Sequence, residues 1–343
     1  MSPIRIGVVG AGVFGRRHVD TVRSVPACEL VAIVDPAPEA AAWAREKDVR
    51  CFADHVKMLD EVKPDAVIIA TPNSLHVPVG LTCVERRLPI LVEKPIADTV
   101  EASRTLVEAA KRAAVPLLVG HHRRHNPLIE RAREVVRGGG IGRLTAVTVL
   151  WLLQKPDEYF DAAWRRQPGG GPLLINVIHS IDDLRWICGE IEEVHAMTSS
   201  AVRGFPVEDT AAVVFRLAGG ALGTATVSDA VAAPWSWELA SGENPVYPHQ
   251  HENCYYFAGT EGAFALPALE LWRYEGKKGW HAPLSRQKLE VVAADPQLRQ
   301  LQHFCRVVRD GEAPRVSGED AIRTLAVVHA VHEAARTGRA VVP

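Results

Sequence analysis

Three glycines near the start of the chain have the spacing of a phosphate-binding loop. An aliphatic run over residues 4–9 leads into a segment of six residues, Gly10, Ala11, Gly12, Val13, Phe14 and Gly15. The run predicts a buried strand, and the glycines fall where it turns into a helix. There the first glycine permits the turn, the second lets the backbone approach a pyrophosphate, and the helix N-terminus offers its free N–H groups to that anion. The segment is therefore predicted to bind a dinucleotide.

An acidic side chain ends the second aliphatic run. Asp35 follows residues 30–34 and comes twenty residues after Gly15. An acid at this place in a strand–helix–strand unit accepts hydrogen bonds from the adenosine ribose and repels a 2′-phosphate. Residues 36–38 are Pro-Ala-Pro, so no adjacent cation is present to hold such a phosphate. The pattern predicts NAD as the cofactor in preference to NADP.

A polar turn follows the next predicted strand at residues 66–70. It contains Thr71, Pro72 and Asn73, with His76 three residues further on. The Asn73 amide can hydrogen-bond along a bound cofactor. The same residues also fit an ordinary strand-to-helix turn with Asn73 near a helix N-cap, so both interpretations stay open.

A second polar turn contains Glu93 and Lys94, followed by a proline. A residue before proline is extended rather than helical, so the Lys94 side chain can project into a crevice at the edge of the sheet. There it can hydrogen-bond a substrate hydroxyl and share its proton, although a surface lysine at the end of a strand is the alternative. The predicted cofactor contacts in the two turns are Thr71, Pro72, Asn73, His76, Glu93 and Lys94.

Another dense group of polar residues lies between residues 169 and 186. Asn176, His179 and Asp183 are spaced three and four residues apart, which places them on one face of a helix. Neutral histidine is the usual general base near neutral pH, and the neighbouring Asp182 can orient its ring. A polar helix face with a capping asparagine explains the same spacing.

The order of apolar runs and amphipathic stretches indicates which elements position these residues. Strands are predicted at residues 4–9, 30–34, 66–70, 90–92 and 117–119, and helices at 13–24, 38–46, 76–87 and 99–113. This alternation predicts an α/β domain with a doubly wound parallel sheet. Ligands of such a sheet bind at the carboxyl ends of its strands.

The pattern changes near residue 122. Longer strand-like segments joined by hairpin turns follow, with helices predicted at 127–137, 179–188, 296–310 and 319–337. They predict a second, α+β domain on a largely antiparallel sheet. We therefore place an NAD-binding domain at 1–122 and a substrate-binding domain at 123–343. His122 and Arg123, at the joint, are expected to contact substrate or cofactor.

The composition is that of an ordinary globular protein, with 343 residues, 47% of them hydrophobic, and a formal net charge of −2. Nothing in it indicates a nucleic-acid or membrane partner. The first predicted strand begins by Ile4, which leaves no room for a signal peptide, and no apolar run approaches the roughly 18 residues of a membrane helix.

The six cysteines lack a CxxC motif, and the His249–Cys254 cluster is not a closed zinc pattern, so we expect a cytoplasmic protein without a metal. Trp235, Trp237 and Tyr247, near that cluster, are predicted to form a substrate-facing wall.

Taken together, the motifs resemble the Gfo/Idh/MocA family, the group of glucose–fructose oxidoreductase and inositol dehydrogenase. The resemblance spans nearly the whole chain and is carried by the glycine segment, Asp35, the Thr71–His76 turn, Glu93-Lys94-Pro95, residues 123–127 and the segment from Asn176 to Asp182. It implies an N-terminal Rossmann domain and a C-terminal domain whose open sheet forms the interface of a homodimer or homotetramer.

The resemblance also implies residue roles. The lysine of the Glu-Lys-Pro motif, here Lys94, is catalytic in this family, and the peptide bond before its proline is often cis. Asn176 and His179 correspond to the second catalytic pair, in which many members have aspartate at the first position. Because asparagine cannot act as a base, His179 would remove the hydroxyl proton while Asn176 binds a substrate hydroxyl.

The resulting hypothesis is an NAD(P)-dependent dehydrogenase acting on a secondary alcohol of a sugar, polyol or related cyclic diol. One alternative is an aromatic cis-dihydrodiol as substrate, because the aromatic residues within 235–256 would suit a flat ring. The other alternative is a non-catalytic NAD-binding sensor. That alternative predicts loss of Lys94 or His179, and both are present.

Overall fold

The computed structural model describes residues 2–343 and divides into two compact units. The first unit contains the residues up to His125 together with Ala294–Leu325, and the second contains Asn126–Ala293 and Ala326–Pro343. Residues 294–325 group with the N-terminal part of the chain, because the helix at 296–310 packs against the helix at 13–24. The functional division into 1–122 and 123–343, which treats each domain as one continuous segment, stays a prediction.

The first unit is built on a six-stranded sheet in which every neighbouring pair is parallel. The strands are β1 (Ile4–Val9), β2 (Cys28–Val34), β3 (Cys51–Phe52), β4 (Ala66–Ile69), β5 (Ile90–Val92) and β6 (Leu117–Val119). The helices between them are α1 (Val13–Ser24), α2 (Pro38–Glu46), α3 (His55–Val62), α4 (His76–Glu85) and α5 (Val100–Ala113). The strand order β3-β2-β1-β4-β5-β6 confirms the predicted doubly wound sheet, whose ligand crevice lies where the order reverses beside β1.

Local sequence explains most of these elements. The strands β4 and β5 are aliphatic on both faces and buried, as strands covered by helices on two sides must be, and β1 is buried at every residue except Arg5. Thr99 begins α5 by accepting a hydrogen bond from the Ala102 N–H at 3.1 Å. The sequence pattern does not predict β3 or α3, because β3 has only two residues and α3 only eight.

The second unit is built on an eight-stranded sheet of order β14-β13-β12-β11-β7-β10-β9-β8. Its strands are β7 (Leu144–Leu152), β8 (Ile191–Ser199), β9 (Thr210–Leu217), β10 (Leu222–Ser228), β11 (Tyr255–Gly259), β12 (Gly262–Leu266), β13 (Glu270–Tyr274) and β14 (Leu284–Lys288). All neighbouring pairs are antiparallel except β7 and β10, so the largely antiparallel sheet is confirmed. The strand β14 is not predicted, because it is a polar, exposed edge strand.

The remaining helices are α6 (Pro127–Arg137), α7 (Ile178–Cys188), α8 (Trp237–Ala240), α9 (Pro296–Asp310) and α10 (Gly318–Thr337). Within the second unit, α7 covers the buried face of the sheet. There the hydroxyl of Tyr255 in β11 donates a hydrogen bond to Asp183 Oδ2 at 3.1 Å and pairs with Ser180 Oγ at 2.8 Å. No helix formed by residues 2–343 is both long enough and apolar enough to cross a bilayer.

Candidate active site

The N-terminus of α1 is open and lacks any negative charge of its own. Gly12 precedes the helix without a side-chain cap, and the first turn contains no acidic residue. Val13 and Phe14, the first two helical residues, are 82% and 46% exposed although both are apolar. The first N–H groups of a helix have no partner within it and carry a partial positive charge, so this end of α1 can bind an anion.

The three glycines of the loop are required for different reasons. Gly10 has φ of +97°, and a Cβ there would lie 2.4 Å from the Ala70 carbonyl oxygen. A Cβ on Gly15 would lie 2.0 Å from the Gly10 carbonyl oxygen, so close packing of α1 excludes any side chain. At Gly12, by contrast, nothing in residues 2–343 other than its two chain neighbours comes within 4 Å of a Cβ. The protein itself does not fill the space at Gly12, which leaves room for a phosphate group.

Asp35 lies beside this loop and is held by the backbone. Its Oδ2 accepts a hydrogen bond from the Ala11 N–H at 2.8 Å, and its Oδ1 accepts one from the Ala37 N–H at 2.9 Å. Each carboxylate oxygen retains a second lone pair for a ribose hydroxyl. At the end of β4, Thr71 Oγ1 is buried without a hydrogen-bond partner in the described part of the chain. An open helix end, a held acid and an unsatisfied hydroxyl fit a bound dinucleotide.

Lys94 lies at the same edge of the sheet, directly after β5. Its Nζ is 5.9 Å from the centroid of the Phe14 ring, which places a cation beside the first turn of α1. The side chain is half-buried. The peptide bond between Lys94 and Pro95 is cis, as the family resemblance implies.

Glu93 is a buried acid with two partners in the first unit. Its Oε1 pairs with His18 Nε2 at 2.7 Å, and its Oε2 accepts a hydrogen bond from the Lys94 N–H at 3.2 Å. Burial alone would raise the pKa of Glu93, but the hydrogen bond with His18 and the positive charges of His18, Lys94 and His122 outweigh it and lower the pKa to about 2. Glu93 is therefore a carboxylate that connects α1 to the backbone of Lys94.

His18 supports the candidate site through its contact with Glu93, and the sequence analysis did not identify it. It is buried on the same face of α1 as Gly15, Val19 and Val22. A histidine on the apolar face of a helix needs a polar partner, and this was the available signal. The partner could not be identified from the sequence, since Glu93 is 75 residues away.

His76 links the two polar turns to each other. Its Nε2 hydrogen-bonds the Thr71 carbonyl at 2.9 Å, and its Nδ1 hydrogen-bonds the Pro95 carbonyl at 2.8 Å. Burial lowers the pKa of His76 against the opposing effect of these two carbonyls. The ring thus fixes the turn after β4 against the turn after β5, and its contact with a cofactor stays a prediction.

The other predicted residues of the first unit lie at the ends of β4 and β6. Pro72 is exposed and Asn73 half-buried, and Asn73 begins a short 3-10 turn that leads into α4. His122 and Arg123 belong to a second 3-10 turn after β6, with His122 half-buried and Arg123 buried. The paired neighbours β1, β4, β5 and β6 thus bring both turns to the carboxyl edge of one sheet.

Asn176 and His179 lie in the second unit, where Leu173–Val177 form a π-helical turn that runs into α7. A π turn contains more residues than an α turn, so the α-helical spacing holds for His179 and Asp183 but not for Asn176. His179 is buried in the first turn of α7. Asn176 is half-buried, and its Oδ1 has no hydrogen-bond partner among residues 2–343.

Glu208 supports this π-helical turn, and no sequence signal pointed to it. Its Oε1 accepts a hydrogen bond from the Leu173 N–H at 3.2 Å. A Cβ on Gly171 would lie 2.2 Å from the same oxygen, so the carboxylate packs directly against the glycine run. Burial raises the pKa of Glu208 against the opposing effect of backbone N–H donors.

The aromatic cluster of the second unit differs from its prediction. The prediction that Trp237 forms part of a substrate-facing wall is wrong, because Trp237 is in the core, edge-on to Tyr255 with ring centroids 5.9 Å apart. Trp235 and Tyr247 are exposed. Nearby, His249 Nε2 hydrogen-bonds a backbone carbonyl at 2.9 Å, and no three metal-binding side chains converge anywhere in residues 2–343.

The first unit thus has the fold and the phosphate-binding loop of a dinucleotide-dependent enzyme. A sequence model described as the oxidoreductase family with an NAD-binding Rossmann fold matches residues 4–121, and that of the GFO/IDH/MocA C-terminal domain matches residues 129–265. The chain belongs to the Gfo/Idh/MocA family and is a dehydrogenase that uses a nicotinamide cofactor.

Individual relatives are similar over the whole chain. The rhizopine catabolism protein MocA of Rhizobium meliloti is 26% identical over 97% of this chain and 95% of its own. Inositol 2-dehydrogenase 2 of Saccharopolyspora erythraea is 28% identical over 98% of this chain and 94% of its own. Among solved structures, the WlbA dehydrogenase from Bordetella pertussis in complex with NADH and UDP-GlcNAcA is 26% identical with a TM-score of 0.81, covering 100% of this chain and 99% of that one.

Proposed function

We propose that this protein is an NAD-dependent dehydrogenase that oxidises a secondary alcohol of a polyol, sugar or related cyclic diol. Lys94 carries the proposal, because its Nζ lies beside Phe14 at the open N-terminus of α1. A cation at the edge of a dinucleotide site can hydrogen-bond a substrate hydroxyl and stabilise negative charge that develops on its oxygen.

The contacts of Glu93 support this role for Lys94. A surface lysine at a strand end needs no buried support, yet Lys94 follows a buried carboxylate that accepts its own backbone N–H at 3.2 Å. The same carboxylate is fixed to α1 through His18. The Glu93 carboxylate therefore holds both the Lys94 backbone and α1, the helix that contains Phe14. Support of this kind keeps a reacting side chain in position.

His179 is proposed as the general base and Asn176 as the residue that binds a second substrate hydroxyl. Imidazole accepts a proton near neutral pH, whereas an amide does not. The buried Oδ1 of Asn176, which has no partner in the described chain, supports a hydrogen bond to substrate. When bound, the nicotinamide supplies the two-electron chemistry by exchanging a hydride with the carbon that bears the hydroxyl.

The preference for NAD is proposed from Asp35. Its carboxylate lies within hydrogen-bond distance of the glycine-loop backbone at Ala11, where a 2′-phosphate would meet a negative charge. The remaining cofactor contacts are proposed at the glycine segment, Thr71, Pro72, Asn73, His76 and Glu93, and further substrate contacts at His122 and Arg123.

A polyol is the favoured substrate class. The similarity to an inositol 2-dehydrogenase over nearly the full chain supports it. The aromatic dihydrodiol is not favoured, because two of the aromatic residues within 235–256 that suggested it, Trp237 and Tyr255, lie in the core. Hydroxyl-rich substrates need polar contacts of the kind that His122, Asn176 and His179 offer.

A substrate screen tests the proposal. Purified protein is mixed with NAD or NADP and with inositols, sugars, open-chain polyols or aromatic cis-dihydrodiols, and reduced cofactor is followed by absorbance. We expect turnover with at least one cyclic polyol or sugar and a higher kcat/KM with NAD. Turnover with dihydrodiols alone would show that the substrate is an aromatic cis-dihydrodiol and not a polyol or sugar. Cofactor binding without turnover of any alcohol would favour a non-catalytic NAD-binding sensor instead.

We also propose a homodimer or homotetramer formed through the second sheet. Its outer face presents an exposed row across five strands, formed by His195, Val214, Thr224, Thr148 and Tyr256. Threonine, valine and tyrosine side chains suit a flat sheet-to-sheet contact.

Val214→Asp places a charge within that row and should shift the protein toward the monomer in light scattering. Val292→Asp, at an exposed position outside the sheet, is the matched control and should leave the mass unchanged. A wild-type monomer, or a Val214→Asp variant of unchanged mass, would contradict this interface.

A further inference from the structure

Two cysteines far apart in the sequence lie side by side in the first unit. Cys28 is the first residue of β2, Cys305 is in α9, and their Sγ atoms are 3.0 Å apart although 277 residues separate them. Both are free thiols. Because the contact joins the sheet to a helix from the far end of the chain, no local sequence pattern indicates it.

The surroundings of the pair distinguish its two sulfurs. The hydrogen bond from Cys28 lowers the pKa of Cys305 against the opposing effect of burial, and the positive charges of Arg309 and Arg306 lower it further. The pKa of Cys28 is raised by the same hydrogen bond and by burial. Cys305 is therefore the more acidic thiol of the pair, and a cysteine whose pKa is lowered by nearby arginines reaches the reactive thiolate form more readily.

A small oxidant can reach this pair from solvent. A surface cavity of about 250 Å³ is lined by Cys305 together with Val25, Arg306 and Arg309. Cys28 is itself half-exposed. Cys305 is buried, as Cys83 is, but it borders that cavity, whereas burial raises the pKa of Cys83 to about 12.

We propose that Cys28 and Cys305 form an oxidation-sensitive dithiol that a peroxide converts into a disulfide. The Cys305 thiolate attacks a peroxide oxygen and the O–O bond breaks, giving a sulfenic acid and, for hydrogen peroxide, one water. Cys28 then attacks the Cys305 sulfur, the S–O bond breaks, and a second water leaves. In sum, two thiols and one hydrogen peroxide give one disulfide and two waters, with two electrons passing from sulfur to oxygen.

The bond would fasten β2 to α9 without touching the cofactor loop. Cys28 begins β2, whereas Asp35 follows the opposite end of that strand. The cross-link would close a loop of 277 residues, and a loop of that length restricts the unfolded chain strongly. We therefore expect oxidation to raise Tm by several degrees while the affinity for NAD stays within about twofold. The inference does not depend on the proposed function.

Peptide mapping of the full-length protein tests the proposal. The reduced protein is treated with a small excess of hydrogen peroxide, free thiols are alkylated, and the chain is digested with trypsin without reductant. Cys28 and Cys305 fall in separate tryptic peptides, residues 24–45 and 300–306, each with a single cysteine. We expect these two peptides to be joined, two hydrogens lighter than their sum, and released by dithiothreitol.

Variants link the disulfide to its effect on stability. Oxidised wild type should melt several degrees above reduced wild type, and Cys305→Ser should abolish both the joined peptides and the shift. Cys188→Ser is the matched control, because burial raises the pKa of that thiol, and it should keep both. Alkylation of both cysteines after peroxide treatment, joined peptides involving other cysteines, or a Cys305 sulfinic acid with Cys28 alkylated would each overturn the proposal. The first readout uses only wild type, so it stands even where a variant fails to fold.

Discussion

The two units differ in how they hold the polar side chains proposed for the active site. In the first unit Asp35, His76 and Glu93 each have two protein partners. In the second unit the Oδ1 of Asn176 is buried and has no partner in the described chain. Asp35, His76 and Glu93 are therefore satisfied by the fold alone, whereas Asn176 Oδ1, like Thr71 Oγ1 in the first unit, is left unsatisfied by the described chain.

This difference separates the groups that position the cofactor loops from the group that is proposed to recognise substrate. Groups with complete partners hold the loops that surround a cofactor, and they lose little freedom when it binds. A buried oxygen without a partner lowers stability, and it is retained where a ligand completes its hydrogen bond. We infer that the first unit presents a rigid cofactor site, whereas Asn176 in the second unit recognises substrate.

The largest effect is expected from Lys94→Ala. If Lys94 stabilises the developing alkoxide, kcat/KM should fall by about a thousandfold or more, while the Kd for NAD changes by less than about threefold. Steady-state kinetics and fluorescence titration measure the two quantities. Lys111→Ala, in the last turn of α5, is the control and should behave as wild type. A Lys94→Ala enzyme with near-normal turnover would remove Lys94 from the mechanism.

His18→Ala should lower the stability of the protein and weaken the support of Lys94. It leaves the Glu93 carboxylate buried without its shortest contact, so we expect the free energy of unfolding to fall by about 3 kcal/mol. Because Glu93 also holds the Lys94 backbone, kcat should fall roughly tenfold with little change in the KM for substrate. Urea unfolding and kinetics on the same preparation check both. A stability loss with unchanged kcat would show that the His18–Glu93 contact is structural only.

Glu93 should also make stability depend on pH in the acid range. Its folded-state pKa of about 2 lies below the ordinary value of 4.5, so the unfolded state binds more protons between these values. The stabilisation is complete above about pH 4.5 and is lost as pH falls toward 2, by about 3 kcal/mol. The difference in unfolding free energy between wild type and Glu93→Gln should therefore shrink over that window. A difference that does not change with pH would contradict a depressed pKa.

A smaller effect is expected from Asp35→Asn, which removes the charge and keeps a hydrogen-bond acceptor toward Ala11. The KM for NAD should rise about tenfold, and the preference for NAD over NADP should fall by tenfold or more. Asp54→Asn changes an acid that caps α3 and should alter neither. Unchanged cofactor preference in Asp35→Asn would place the source of specificity elsewhere.

The smallest stability effect, and the sharpest contrast between the units, is expected from Asn176→Ala. Removing an unsatisfied buried oxygen should leave the free energy of unfolding unchanged or raise it by up to about 1 kcal/mol, while the KM for substrate rises about tenfold. The control is Asn126→Ala, because Asn126 Oδ1 caps α6 through the Leu128 N–H and its Nδ2 donates to Glu243 Oε2 at 2.7 Å, so its loss should cost about 1 kcal/mol or more. If Asn176→Ala destabilises as much as this control from the same unit, Asn176 Oδ1 is not an unsatisfied group and its proposed role in recognising substrate loses its support.

Several parts of the molecule were predictable because their signals are local. The bounds of β1, α1, β5 and α6 match the predicted ranges, since apolar periodicity, helix caps and glycines lie within each segment. The reversal of strand order beside β1 also followed from the alternation of strands and helices. Short or polar elements such as β3 and β14 were missed, because neither has enough apolar residues to show a period.

The phosphate-binding loop and the acid after the second strand were determined by the sequence itself. Gly15 and Asp35 contact the backbone at Gly10 and Ala11 in the same strand–helix–strand unit, so their types and spacing carry the information. Only the tertiary structure decided which group supports Glu93, which acid supports the π-helical turn and which cysteines meet. Those contacts join residues as far apart as 75 and 277 positions, and the packing of whole elements, rather than any local pattern, brings them together.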